Sequence, residues 1–127
     1  MAELSPYQYV VLRCVPRADR EEFVNVGVVL FCQARDFLGV EWEVDRDRVQ
    51  ALDATIEVDQ VCRGLEFIGA VCRADPGAGE IAHADLGTRF GFLKAPRSTV
   101  VRPGPVHGGV TGDPEATLTA LLDRLVR

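Results

Sequence analysis

Two groups of residues carry the side chains best suited to chemistry. The first is Arg97–Ser98, Arg102 and His107, set in a segment rich in proline and glycine. An arginine fork beside a hydroxyl at a loop–strand junction suits a phosphate or a carboxylate. An imidazole among glycines suits acid–base work or hydrogen-bond donation. The plainer reading has Arg97 satisfying loop carbonyls, Ser98 capping a turn and His107 on the surface. No Walker sequence, glycine-rich strand–helix turn or nucleophile elbow accompanies the group.

The second group is Tyr9, Arg13, Asn25 and Glu43, with Gly27 beside them. They fall on alternate positions of three apolar segments, so they share one face of a sheet if those segments are adjacent strands. Gly27 has no side chain to pack, which leaves room for a ligand or a second backbone, or marks only a bulge. The same face carries Tyr7, Val11, Val15, Phe23, Val29 and Phe31. It is too apolar to stand in water, so the rest of the chain or a partner must cover it.

Other titratable residues are weaker candidates. Glu41 and Glu43 lie on one strand face about 7 Å apart, but without a nearby histidine they read as surface charge. Glu21–Glu22 reads as a solvated turn. Cys14, Cys32, Cys62 and Cys72 form no CxxC pair, and His83 and His107 lack ligand-spaced neighbours, so the reading is free structural thiols and no metal.

Size and composition bound the rest. A chain of 127 residues reads as a single domain over 1–127, and 47% apolar with 26% charged residues excludes a disordered chain. The longest apolar run, Phe23–Cys32, is too short for a membrane helix. The amino terminus has neither the basic start nor the apolar stretch of a secretory signal, so a cytoplasmic location is expected. The net charge of −5 disfavours nucleic acid. Its distribution is uneven: residues 41–59 hold seven acids and two arginines, whereas residues 88–112 hold four bases and no acid. That basic segment keeps nucleic-acid binding open.

These residues need elements to hold them. Alternation predicts strands over 7–15, 23–32 and 37–44, with Val10, Leu12, Cys14, Val24, Val26, Val28, Leu30 and Cys32 on one apolar face. Matching those faces places Arg13 near Asn25 and Val11 near Gly27. It also requires an odd loop before the third strand, to align Val28 and Leu30 with Val40 and Leu38. Asp45 caps a short helix over 46–52, and a stripe of Val58, Val61, Cys62, Leu65, Ile68 and Cys72 predicts a helix over 57–74. Residues 86–94 have helical spacing weakened by Gly87 and Gly91. A fourth strand is expected over 98–102, then a loop over 103–112 around His107, then a helix over 114–126 started by Asp113-Pro114-Glu115. Strands before helices, without βαβ alternation, imply an α+β domain: an antiparallel sheet ordered β-β-β, helices, β and C-terminal helix, with helices on one face.

Two stretches, YQYVVLRCVPRADREEFVNVGVVLF and RFGFLKAPRSTVVRPGPVHGG, resemble a bacterial family catalogued as domain of unknown function number thirty thirty-seven. Its most specific parts are Asn25–Val28, Ala95–Ser98 and Pro105–Gly108. The aromatic before Leu93 is Phe92 here where the family has tryptophan. The resemblance brings no activity and no cofactor. Members are often encoded beside a HipA-like kinase, which implies a partner role.

Two functions follow as expectations. One is a small binding or accessory module docking a HipA-like kinase or a second copy of itself. Its surface would be the face of Tyr7, Tyr9, Val11 and Phe31, or the basic segment from Arg89 to Arg102, and bulk at Gly27 would abolish association without unfolding the monomer. The alternative is a small enzyme or anion-binding protein in which Arg13, Arg97, Ser98 and His107 converge on a phosphorylated or carboxylated ligand; it requires Arg97 and His107 to point into one cleft.

Overall fold

The computed structural model describes residues 3–127. Four strands, β1 (Ser5–Cys14), β2 (Val24–Cys32), β3 (Phe37–Trp42) and β4 (Val101–Thr111), form one antiparallel sheet in the order β3-β2-β1-β4. Helices α1 (Arg46–Leu52), α2 (Val58–Cys72) and α3 (Leu86–Lys94) lie between β3 and β4, and α4 (Pro114–Leu125) follows. This is the α+β arrangement that the strand and helix pattern predicts.

The helices, however, cover both faces of the sheet. Val10, Leu12, Cys14, Val26 and Val29 pack with Leu65, Ile68, Phe90 and Leu93 of α2 and α3. On the reverse, Val28, Leu30 and Cys32 pack with Leu118, Leu121 and Leu122 of α4. Strand β2 is therefore buried on both sides, as its unbroken apolar run from Val26 to Phe31 allows. The alternative left open for the second face, cover by the chain itself, is realised over β2 and β3.

The switch between faces comes from a bulge. Leu12 pairs with Gly27 and Arg13 with Asn25, leaving Val26 as the extra residue on β2. Val24 and Val26 thus stay with the α2–α3 core, while Val28, Leu30 and Cys32 turn to α4. The expected pairing of Arg13 with Asn25 occurs, but Val11 meets Val28 rather than Gly27. Beyond the bulge the odd residues face α2 and α3, so Val29 aligns with Val40 and Phe31 with Leu38. The connection of residues 33–36 is consequently even, not odd: it closes as a 3-10 turn with Asp36 left-handed at φ 51.

Helix caps set the remaining geometry. Asp45 accepts from the N–H groups of Asp47 and Arg48, and Asp113 from that of Ala116. Asp85 accepts from the Thr88 N–H at 2.8 Å, which starts α3 despite its two glycines. The expected short strand and loop over 98–112 is instead one eleven-residue strand, β4. It lies at the sheet edge, where Pro103 and Pro105 lose no ladder bond on the open side. Its glycines admit side chains from β1, as described below.

Candidate functional site

Alternation along β1 sends Tyr7, Tyr9, Val11 and Arg13 to the α4 side of the sheet. Helix α4 packs over β2 and β3, with Tyr7 and Tyr9 at the margin of its cluster. The β1–β4 half of that face stays open. Tyr9 pairs with His107 across the strands, and the two rings stack with centroids 5.2 Å apart and planes at 28°. The Tyr7 ring lies 6.1 Å from that of Tyr9 and rests on Gly109, where a Cβ would come within 2.6 Å of the Tyr7 hydroxyl. Arg13 does the same over Gly104, with 3.1 Å from a Cβ position to its Cζ, and its guanidinium stands 4.1 Å from the centre of the Phe23 ring. The result is a row of aromatic and cationic side chains lying flat across two strands that contain no acidic residue. It ends at the unpaired outer edge of β4; Val106 and Val110, 43% and 62% exposed, lie along that edge but alternate onto the opposite face of the sheet.

Two clefts flank this sheet. One, of about 370 Å³, is lined by Arg13, Val15, Ala18, Glu21, Phe23, Arg102 and Pro103. Arg102 pairs directly with Arg13 across the strands, and its arm is held by the carbonyls of Thr99 at 2.8 Å and Ser98 at 3.4 Å. The other, of about 440 Å³, lies between α2 and residues 97–101. Its walls are Gly64, Phe67, Ile68, Val100 and Val101, with Gln60, Arg97, Ser98 and Thr99 as polar groups. Arg97 stacks 4.7 Å from the Phe92 ring and donates to the Phe92 carbonyl. The Nε atoms of Arg13 and Arg97 are both buried with no hydrogen-bond partner among the described residues.

The structure therefore divides the residues singled out above. Arg13 and Arg102 meet in one cleft, and Arg97 and Ser98 in the other. Arg97 and His107 do not converge: Arg97 sits beside α2, whereas His107 stacks on Tyr9 on the opposite face. His107 is on a strand, not in a glycine loop. Asn25 lies beneath α4, donating from Nδ2 to the Leu125 carbonyl at 3.0 Å; it ties down the helix end. Gly27 leaves no room for a ligand, because a Cβ there would sit 3.0 Å from both the Glu41 carbonyl oxygen and the Trp42 Cβ. Phe31 leaves the proposed partner face altogether and stacks on Phe90 at 4.9 Å within the core.

Other groups are committed to the fold. Arg89, counted in the basic segment, is buried and donates to the carbonyls of Val71, Cys72 and Ala84, closing the C-terminus of α2. Glu41 accepts from Thr119, and Glu43 pairs with Arg127 at 3.2 Å. All four cysteines are free thiols. Burial pushes the Cys14 thiol up from 9.0 to about 11 and the Cys72 thiol to about 12, the latter against the opposing pull of Arg89 and Arg73. Among the described residues no group of three or more His, Cys, Asp or Glu side chains is placed to hold a metal ion, and no helix is long and apolar enough to cross a membrane.

An antiparallel sheet with helices on both faces and a partly open aromatic–cationic face is thus the class of protein these residues build. The chain belongs to the family described as Protein of unknown function (DUF3037), which matches residues 9–126. No curated protein and no solved structure matches it.

Proposed function

We propose that the chain is a small binding or accessory module whose partner docks on the open β1–β4 face. The observation that supports this reading most is the uncovered row of Tyr7, Tyr9, Val11 and His107 beside α4, running to the unpaired edge of β4. An exposed strand edge with adjacent apolar side chains accepts an extended segment or a second strand. Pro103 and Pro105 lack N–H donors, so such pairing is confined to residues 106–111. The occupant is a HipA-like kinase, as the family resemblance implies, or a second copy of this chain.

Light scattering after gel filtration tests self-association, and co-expression with a HipA-like kinase tests the second partner. His107 is exposed, so His107→Glu should cost folding stability no more than about 1.5 kcal/mol, the worth of its stack on Tyr9. The same substitution puts a charge into the row and should remove the complex. A chain that stays monomeric at high concentration and fails to co-purify with the kinase would overturn the reading.

A further inference from the structure

We propose that Arg13 and Arg102 form an oxyanion site that takes a phosphoryl group carried by a small phosphate monoester. The inference is independent of the partner reading above. The two arginines are directly opposite on adjacent antiparallel strands. Like charges so placed repel, yet neither has an ion-pair partner among the described residues. A bound dianion would neutralise them, and guanidinium forks match its oxygens two at a time.

Both arms are held before any ligand arrives. Arg13 is clamped between the Phe23 ring and Gly104, and Arg102 is fixed by the carbonyls of Ser98 and Thr99. Pre-ordered forks lose less entropy on binding than free side chains. The cleft of about 370 Å³ exceeds what a bare ion needs, and pockets of this size suit small organic ligands. Its apolar walls, Val15, Ala18, Phe23 and Pro103, would take the ester's organic part. The single carboxylate lining it is that of Glu21, which opposes an anion.

Calorimetry on the full chain at constant ionic strength, with inorganic phosphate and phenyl phosphate as probes, tests the site. Both should bind saturably. Tighter binding of phenyl phosphate supports a monoester as the ligand; equal binding supports the phosphoryl site with free phosphate as its source. Arg13→Lys and Arg102→Gln should each weaken binding about tenfold or more: lysine offers a point charge in place of a fork, and glutamine removes the charge altogether. Glu21→Gln should tighten it, a gain that a purely structural role for this corner would not produce. Arg46→Gln, a change to an exposed residue of α1, should have no effect. If Arg102→Gln does not fold, Arg102→Lys and Glu21→Gln carry the test. No saturable binding to the parent chain, or affinities unchanged in the arginine variants and in Glu21→Gln, would overturn the proposal.

Discussion

Asn25, Gly27 and Arg89 show how a residue that looks available for function becomes committed to structure. Each stands out in the sequence for an ordinary reason: an amide within an apolar strand, a glycine in a strand interior, a base in a basic segment. Each is consumed by a partner far away in the chain: the Leu125 carbonyl, the backbone of β3, and the carbonyls ending α2. Gly27 allows the sharpest prediction at this scale. A backbone carbonyl 3.0 Å from the new Cβ cannot swing aside as a flexible side chain would. Gly27→Ala should therefore cost about 1–3 kcal/mol of folding stability, the usual range for overpacking. A urea denaturation midpoint equal to that of the parent chain would contradict it. The expectation that bulk here abolishes association without unfolding the monomer is replaced by this one, because the residue is internal.

At the scale of elements, α4 is the piece whose placement most changes the picture. Its leucine stripe and its Asp113-Pro114 start are plain in the sequence, but the face it would cover is not. The helix end is held by Asn25 and by Arg48, whose Nη1 donates to the Val126 carbonyl at 2.9 Å. Donors at a helix C-terminus satisfy carbonyls that have no partner within the helix. Asn25→Ala should cost about 1 kcal/mol. The loss should be local: hydrogen exchange should speed up for the amides of Leu122–Val126 and stay unchanged in α2. Uniform acceleration throughout the chain would place the role of Asn25 elsewhere. Strand β4 is the second element that the sequence conceals. Two prolines and four glycines over 103–112 read as a loop, yet at an edge the prolines cost no inner hydrogen bond and the glycines seat Tyr7 and Arg13.

For the molecule as a whole, the buried thiols give a pH dependence of known sign. Below pH 9.0 both the folded and the unfolded chain keep these thiols protonated, so they do not alter the balance. As pH rises further, the unfolded chain releases its protons, whereas folded Cys14 and Cys72 hold theirs to about 11 and about 12. Stability attributable to them is thus intact below pH 9 and is lost as pH climbs through those folded values. Urea midpoints measured from pH 8 to 10.5 should fall, and a Cys14→Ala, Cys72→Ala double variant should fall less steeply. In the native chain a thiol reagent should label Cys62 first, since the other three are buried; four equal rates would show that the core opens readily.

Periodicity and caps determined the element types apart from β4: alternation marked the first three strands, three- and four-residue steps with their capping residues marked the helices, and the pairing of Arg13 with Asn25 followed from parity. Those are local properties, because the direction of a side chain depends on its own backbone. What only the tertiary structure decided is which face each set meets. One bulged residue at Val26 reverses the facing of the rest of β2, which turns Val28, Leu30 and Cys32 to α4 and Phe31 to the α2–α3 core, so that helices cover both faces. A bulge is settled by the balance of packing on two faces at once, and the spacing within a single segment does not record it.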